Sequence, residues 1–356
     1  MTIRFLIAFA FLGMAAAAQA DCIPINSFPY IVNEGGFYCV TADFSVNSDL
    51  YGQDTISVNA SNVDVDFQGH AITNTASSSN KGVGVRILNF TALHDVTIHN
   101  GTLYGFDAGV VANNFDSGAQ PANLTVDHMT IKNTATSGIY LNGINLRVTN
   151  NTINSVAGTT LAFGIELQCC SPAPDNMTAS NRAFVQGNVI SSIRVSGRAP
   201  DGSDAHADAI GIYVAGFPDI LIRDNIISGI WLQKTALPGS GAFGIAINQM
   251  DESHRVGGLI IQDNVVQNSS IYFKFSKPNS AVGIMIGVPG DHAIVTGSTI
   301  VGMDTGIDAN NGSAPDVPPV LLLNNSINPA SSLFTNANGQ TNAATLTPIK
   351  GGVTLP

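Results

Sequence analysis

Short stretches of alternating apolar and polar residues recur along most of this chain. One kind of stretch starts with glycine, followed by an apolar, a variable and another apolar residue, and it is clearest at Gly138, Gly164, Gly211, Gly244 and Gly283. A second kind of stretch follows and ends in a turn pair. Alternation with a period of two predicts β-strands with one buried face, and no helical period competes with it. Because this two-part repeat occurs at least eight times, it predicts a solenoid with one repeat per coil.

The turn pair at the end of the second stretch indicates how the coils stack. Its first member is a residue that tolerates a left-handed backbone, such as glycine, asparagine or aspartate. Its second member is asparagine in most copies: Asn151, Asn188, Asn225, Asn264 and Asn325. Stacked asparagines can hydrogen-bond to one another and to the turn backbone, which predicts an asparagine ladder. A row of exposed turns would also favour asparagine, but it would not require asparagine at the same position each time.

The spacing of the strands favours one architecture over the main alternative. A β-sandwich joins neighbouring strands by hairpins, and the tight Asn-Gly hairpin signals are rare here. A coil of about 22 to 30 residues with several short strands is typical of a solenoid. We therefore predict an all-β fold, a single-stranded right-handed parallel β-helix of about nine to ten coils over residues 56–330, with residues 21–55 as an N-terminal cap and residues 331–356 as a C-terminal cap or tail.

Two segments near the start of the predicted solenoid resemble a known family. They are residues 29–40, which include Tyr30 and Cys39, and residues 63–72, which run from Val63 to Ile72. The chain is similar there, and in its repeats over about residues 25 to 330, to the right-handed parallel β-helix repeat proteins of the pectin-lyase-like superfamily. The resemblance implies the fold. It also implies two functions by analogy: polysaccharide lyase or epimerase activity, or metal delivery in the periplasm as in the NosD-like group, which the Cys and His pattern does not support.

The first 20 residues predict export. They combine Arg4, an apolar run from Phe5 to Leu12 and a small-residue end, which is the pattern of a signal peptide over residues 1–20. No other stretch reaches the roughly 18 apolar residues of a membrane span. We therefore expect a secreted or periplasmic protein without a membrane span, in which disulfides are common. A Cys22–Cys39 disulfide would tie the cap to the first coil. The adjacent Cys169 and Cys170 could form a vicinal disulfide or remain two buried thiols.

Charge narrows the choice of partner. The net charge is −11 and only 11% of residues are charged, which argues against nucleic acid. Eight of the fourteen basic residues lie in the middle coils: Arg182, Arg194, Arg198, Arg223, Lys234, Arg255, Lys274 and Lys277. These coils are locally basic enough to hold an acidic sugar. We expect a monomer whose partner is a polysaccharide or a cell-surface glycan.

Strand alternation predicts which side chains of the first stretch face outward. If the residue after each glycine points inward, the next one points outward, giving Arg86, Val111, Tyr140, Glu166, Tyr213, Ala246, Met285 and Asp308. Two positions further along lie Asn142, Gln168 and Asn248. Aromatic rings suit sugar faces and amides suit hydroxyl groups. We therefore predict substrate binding by Tyr140, Asn142, Gln168, Arg194, Arg198 and Asn248.

Glu166 is the strongest candidate for catalysis. The chain has only three glutamates, and this one is expected to face outward between Tyr140 and Tyr213. Aromatic neighbours would raise its pKa and suit it to general acid or base catalysis, although a solvated polar residue on a strand would look the same in sequence. Tyr213 itself is a second candidate base.

Two loops of the middle coils add further candidates. Asp201, Asp204 and Asp208 could bind calcium (Ca²⁺), or His206 could act as a base, although a solvated acidic loop would have the same composition. The next loop contributes His254 and Arg255 as candidate catalytic residues. Insertions in solenoids often build the binding face, so both loops are expected beside Glu166.

These residues predict a carbohydrate-active protein of one of two kinds. The first is a lyase or epimerase that acts on an acidic polysaccharide, with an arginine or calcium neutralising the sugar carboxylate. The second is a non-catalytic carbohydrate-binding or surface interaction protein. The motifs of polygalacturonases and of extracellular pectate lyases are absent, so those two activities are not expected.

Overall fold

The structure, a computed structural model, describes residues 22–48, 54–77, 81–88, 93–113, 120–169, 181–198, 202–232, 240–248, 258–267, 280–287, 293–309, 320–328 and 332–336. Within these ranges the secondary structure consists of strands, turns and short connections, without a helix. The strands are β1 (Ile23–Ile25), β2 (Tyr30–Val32), β3 (Gly36–Val40), β4 (Phe44–Val46), β5 (Ile56–Val58), β6 (Val63–Asp66), β7 (Ala71–Asn74), β8 (Val83–Ile87), β9 (His94–Tyr104), β10 (Ala108–Ala112), β11 (Ala122–Thr134), β12 (Ser137–Asn142), β13 (Ile144–Thr149), β14 (Thr152–Gly158), β15 (Leu161–Gln168), β16 (Arg182–Gln186), β17 (Val189–Val195), β18 (Asp208–Ala215), β19 (Asp219–Arg223), β20 (Ile226–Leu232), β21 (Gly241–Asn248), β22 (Gly258–Gln262), β23 (Val265–Gln267), β24 (Ser280–Ile286), β25 (Ala293–Thr296), β26 (Thr299–Val301), β27 (Thr305–Ala309), β28 (Leu321–Leu323), β29 (Ser326–Asn328) and β30 (Ser332–Asn336).

Each coil contributes one strand to each of three faces. The described strands of the first face form an 11-stranded sheet, which we call the front sheet: β2, β5, β8, β10, β12, β15, β18, β21, β24, β27 and β30. The other described strands form a 19-stranded sheet with two rows. The first back row contains β13, β16, β19 and β22, and the second contains β14, β17, β20 and β23, while β11 runs through both. Strands of neighbouring coils pair in parallel throughout. The fold is a parallel β-helix, as predicted.

The glycine that opens each front strand is required by close packing between coils. A Cβ atom on Gly164 would lie 2.5 Å from the carbonyl oxygen of Gly211 and 2.6 Å from Ile190 Cγ2. Gly211 meets the same contacts from the next coil, with the carbonyl of Gly244 at 2.5 Å. Because real Cβ atoms do not approach so closely, only glycine fits at this position. The repeated glycine therefore allows each front strand to pack closely against the next front strand and against the core.

The apolar residue after each glycine lines the core. The side chains at this position are fully buried in the five clearest copies: Ile139, Ile165, Ile212, Ile245 and Ile284. Each lies beside the equivalent residue of the next coil, as Ile165 pairs with Ile212 in the strand register. Stacking like side chains on like fills the interior of the solenoid with one continuous apolar core.

The asparagines of the turn pairs form a hydrogen-bonded column between the two back rows. Nδ2 of Asn151 donates to Oδ1 of Asn188 at 3.0 Å, Asn188 donates in the same way to Asn225 at 2.9 Å, and Asn225 to Asn264 at 2.9 Å. All four side chains are buried. Consecutive members are 37 to 39 residues apart, so these coils are longer than the predicted 22 to 30 residues. The residue before each asparagine has a positive φ, for example 57° at Asp224, which matches the left-handed turn that the sequence predicts.

A disulfide joins Cys22 to Cys39, as predicted, and connects the segment before β1 to β3. Strands β1 to β4 already pair in parallel with the following coil. Cys169 is disulfide-bonded as well, and the one other cysteine of the sequence, Cys170, lies outside the described residues. The predicted signal peptide over residues 1–20 also lies outside them. The described part of the chain contains no helix that is long and apolar enough to cross a membrane.

Candidate functional site

The outward face of the front sheet carries the column of side chains that the alternation predicts. Strand pairing places Val111 beside Tyr140, Tyr140 beside Glu166, and Glu166 beside Tyr213. The column continues through Ala246, Met285 and Asp308. Tyr140, Glu166 and Tyr213 are half-buried, so each is held in place and still reaches the surface. The structure therefore brings these three predicted residues together on adjacent coils.

The predicted amide residues form a second column on the same face. Asn142 pairs with Gln168 in the register, Gln168 pairs with Ala215, and Ala215 pairs with Asn248. Two of these amides hydrogen-bond to residues of the first column. Gln168 Nε2 donates a hydrogen bond of 2.5 Å to Glu166 Oε1, and Asn248 Nδ2 donates one of 3.3 Å to the Tyr213 hydroxyl. Oδ1 of Asn142 is buried without a hydrogen-bond partner among the described residues.

Burial changes the acidity of all three central groups. It raises the pKa of Glu166 from 4.5 to about 7, although the Gln168 hydrogen bond opposes the change. Burial and the nearby Glu166 charge raise the pKa of Tyr140 to about 12. Burial also raises the pKa of Tyr213, with a smaller contribution from Glu166. Near neutral pH, Glu166 can therefore take up or release a proton, while both tyrosines keep theirs.

A third outward column was not predicted. Phe163, Ile210 and Phe243 lie side by side on β15, β18 and β21, and the Phe163 ring centroid is 5.7 Å from that of Tyr213. Strand alternation does not predict this column, because the glycine of each front strand interrupts the alternation. Phe163 and Glu166 are three positions apart, yet both face outward. Phe163 and Phe243, which are half-buried, add aromatic surface to this face, while Ile210 between them is buried.

The N-terminal end of the face consists of apolar side chains and of one arginine whose charge is paired with a buried aspartate. Val83, Ala108 and Val111 form a small cluster against Tyr140. Arg86, predicted to face outward, donates from Nε to Asp54 Oδ2 at 2.8 Å, and the Asp54 side chain is only 8% exposed. Because its charge is balanced by this partner, Arg86 has a structural role at this end of the face.

The structure does not bring the other predicted residues of the middle coils into a described contact with Glu166. Arg194 is exposed in the second back row, where it lines a different depression with Lys81. Arg198 and His206 are both exposed, and a backbone bridge joins Arg198 to Asp204. The charge neutralisers predicted for the lyase reaction, Arg194 and Arg198, are therefore not among the contacts of Glu166 in the described part of the chain.

The predicted calcium site is only partly within the described residues. Asp204 is exposed, and Asp208 accepts a hydrogen bond of 2.8 Å from the Gly241 backbone N–H. Asp208 lies five residues before Tyr213 on β18, which is about 16 Å along a strand. Asp201 lies outside the described residues, as do His254 and Arg255. Among the residues that are described, no group of three or more His, Cys, Asp and Glu side chains could hold a metal ion.

Comparison with known proteins gives similarity in fold alone. No family model matches the chain, and no curated protein does. A tailspike protein of E. coli bacteriophage HK620 is 14% identical with a TM-score of 0.46, over 88% of this chain and 58% of the tailspike. The A-module of a mannuronan C-5 epimerase of Azotobacter vinelandii is 12% identical with a TM-score of 0.33, over 88% and 91% of the two chains. A surface adhesin of Streptococcus pneumoniae is 13% identical with a TM-score of 0.31, over 87% and 86%.

Proposed function

We propose that the front face binds an acidic polysaccharide and that Glu166 transfers the proton in a lyase or epimerase reaction on it. The observation that carries this proposal is the half-buried Glu166 carboxyl between two tyrosines, with a pKa of about 7. A general base or acid works best when its pKa is close to the working pH. An ordinary solvated glutamate would not meet this condition.

The rest of the face suits a sugar chain. Tyr140, Tyr213 and Phe163 offer aromatic surface to the apolar faces of sugar rings. Gln168 and Asn248 offer amides on the same side. Asn142, also predicted to bind the sugar, is buried and does not offer its Oδ1 to a ligand. A long connection, residues 169–181, follows β15, and another, residues 196–207, precedes β18. Insertions of this kind often contribute to the binding face of a solenoid.

The reaction follows from the protonation states. The Glu166 carboxylate removes the proton from the sugar carbon next to the uronate carboxylate, and the resulting negative charge spreads onto that carboxylate. In a lyase, the electrons form a carbon–carbon double bond and the bond to the glycosidic oxygen breaks. Tyr140 or Tyr213 then gives its proton to that oxygen. In an epimerase, a tyrosine instead returns a proton to the opposite face of the same carbon. The amides of Gln168 and Asn248 hold the sugar carboxylate by hydrogen bonds.

A second candidate function is binding without catalysis. One observation favours it: within the described residues, the hydrogen-bond partner of Glu166 is Gln168, and no arginine or second carboxylate contacts it. Such a face would hold a glycan without transforming it. The Cys22–Cys39 disulfide fits either function, since disulfides are typical of extracellular and periplasmic proteins. We propose that the chain is secreted through the signal peptide expected over residues 1–20.

The experiment compares three forms of the protein on a panel of polyuronates. Wild type, Glu166→Gln and the control Glu34→Gln, which changes an exposed glutamate, are incubated with each polymer. New ultraviolet absorbance reports elimination, and sugar composition reports epimerisation. We expect turnover by wild type and the control, with at least a hundredfold loss in Glu166→Gln but retained binding. Binding without turnover by all three forms would support the second function, and neither binding nor turnover across the panel would refute both.

A further inference from the structure

The first back row has a groove of its own, on a different face of the solenoid from Glu166. One depression of about 600 Å³ is lined by residues that include Arg147, Arg182 and Phe184. A second depression of about 350 Å³ is lined by residues that include Arg182, Phe184 and Ile260. Because the two share Arg182 and Phe184, they form one continuous surface, which we call the Phe184 groove. It crosses β11, β13, β16, β19 and β22.

The length of the groove suits a chain-like ligand. From Thr125 on β11 to Ile260 on β22, the outward positions follow one another through Arg147, Phe184 and Leu221 in consecutive pairs of the register. Four strand spacings amount to about 19 Å along the solenoid axis. A single small ion would need only one of these positions, whereas an oligosaccharide lying along the axis would contact all of them.

The centre of the groove is an aromatic ring with guanidinium groups on it. Arg147 Cζ lies 4.6 Å from the Phe184 ring centroid, and Arg223 Cζ lies 5.7 Å from it. The ring is half-buried, and Arg147 beside it is exposed. Stacking on the ring limits where the guanidinium groups can go, so their positions are partly fixed before a ligand arrives.

The charge of the groove differs from that of the whole protein. Arg147 has no ion-pair partner among the described residues, while Arg182 lies 3.5 Å from Asp219 and Arg223 lies 3.7 Å from Asp224. Exposed pairs of this length contribute little and are readily exchanged for another carboxylate. Three arginines and the two aspartates beside them leave one net positive charge, that of Arg147, on this face of a chain whose net charge is −11. The parallel N–H groups of an arginine guanidinium match the two oxygens of a carboxylate.

The floor beyond Phe184 is apolar. Leu221 is half-buried and Ile260 is 39% exposed, and both continue the column that begins with Arg147 and Phe184. An aliphatic and aromatic floor with basic groups at one end matches a sugar chain, whose ring faces are apolar and whose uronate groups are anionic. A polyphosphate chain would require positive charge along the whole length.

We propose that the Phe184 groove is a second binding site, which holds an acidic oligosaccharide through Arg147, Phe184 and Arg182. The groove and the Glu166 face lie on neighbouring faces of each coil, since only Gly143 separates β12 from β13. A polymer held in the groove is kept close to the Glu166 face. The site does not require Glu166 to be catalytic.

Calorimetric titration of the full chain with oligouronates tests the site. We compare wild type with Arg147→Ala/Phe184→Ala, with Arg147→Gln as a milder variant, and with the control Lys132→Ala, which removes an exposed positive charge outside the groove. Each is titrated at low and high salt, and circular dichroism reports folding. We expect at least a tenfold loss of affinity in the double variant, a smaller loss in Arg147→Gln and no loss in the control. The affinity of wild type should fall as salt rises.

Three results would overturn the proposal. One is unchanged oligouronate affinity in folded Arg147→Ala/Phe184→Ala or, should the double variant not fold, in Arg147→Gln. Another is equal affinity for a neutral oligosaccharide, and the third is tighter binding of single-stranded DNA than of oligouronate. Titration of Glu166→Gln separates this site from the proposed reaction. Loss of turnover with retained groove affinity supports both proposals, whereas groove affinity in a protein without any turnover supports the groove alone.

Discussion

Replacing Glu166 with glutamine should stabilise the protein at neutral pH, although it removes the residue proposed for catalysis. The carboxylate at this position is half-buried, and burial raises its pKa from 4.5 to about 7. Between these values the folded chain binds more protons at this site than the unfolded chain does. The free energy of unfolding therefore decreases as the pH rises through this range, and the full penalty is present above pH 7.

The size of the effect follows from the shift. Each pKa unit corresponds to 1.36 kcal/mol, so a rise from 4.5 to about 7 sets an upper value of about 3 kcal/mol above pH 7. Glutamine has nearly the same shape, carries no charge and keeps an oxygen that can accept the hydrogen bond from Gln168. Glu166→Gln should therefore exceed wild type by up to about 3 kcal/mol at pH 8 and match it at pH 4.

Urea unfolding at pH 4, 6 and 8 measures this difference. The transition is followed by two optical probes, since stacked coils can unfold in more than one step. Glu34→Gln is the matched control because Glu34 is exposed, and its stability difference from wild type should be small at each pH. A Glu166→Gln difference that stays constant from pH 4 to pH 8 would refute the reasoning, because it would show that the carboxyl ionises equally well in both states.

Three further predictions concern the fold. Asn225→Ala should lower the free energy of unfolding by about 3–5 kcal/mol, because Oδ1 of Asn225 accepts bonds of 2.9 Å from both the backbone N–H and Nδ2 of Asn188, and these buried donors would lose their partner. Gly164→Ala should lower the free energy of unfolding by about 1–3 kcal/mol, because the alanine Cβ would lie 2.5 Å from a backbone carbonyl oxygen of the next coil. Replacing Cys22 and Cys39 with serine should cost about 3 kcal/mol, as expected for a disulfide that closes a loop with a sequence separation of 17.

Each of these has its own measurement and control. Chemical unfolding of Asn225→Ala is compared with Ser228→Ala, a half-buried serine outside the column, and equal losses would contradict the role of the column. Gly164→Ala is compared with Gly69→Ala, where no atom lies within 4 Å and only the positive φ opposes alanine. For the disulfide, wild type and the serine variant are both unfolded with and without reductant, and reductant should lower the free energy of unfolding of wild type by about 3 kcal/mol more than that of the serine variant. The loss that reductant causes in the serine variant measures the bond of Cys169, and equal losses in the two proteins would contradict a stabilising role for the Cys22–Cys39 bond.

The fold could be predicted because its determinants repeat at fixed positions. Gly164 and Gly211 occupy equivalent positions where a side chain would collide with the next coil, and Asn188 and Asn225 occupy equivalent positions where an amide completes the turn. Such constraints act between neighbouring coils, so each copy of the sequence repeat has the same residues at the constrained positions. The register of Tyr140, Glu166 and Tyr213 followed directly from this repetition.

The site could be predicted only where it depends on that register. The outward orientation of Phe163 and Phe243 could not be predicted, because the glycine of each front strand interrupts the alternation. The many arginines of the middle coils showed where charge is concentrated along the chain, but not on which face of the coil. Arg194 lies in the second back row and Arg182 in the first, away from the front sheet. Position around the coil depends on the length of each insertion, which the repeat does not determine.

The asparagine column also shows how this protein can change without losing its fold. Consecutive members are 37 residues apart from Asn151 to Asn188, 37 from Asn188 to Asn225 and 39 from Asn225 to Asn264, yet each makes the same contact. The contact between coils is therefore the same for a coil of 37 residues and for one of 39. We expect mutations that lengthen or shorten a connecting segment to be tolerated, whereas loss of one residue within a strand would turn its inward side chains outward. Evolution of ligand preference can thus proceed by segment length while the stacked positions stay constant.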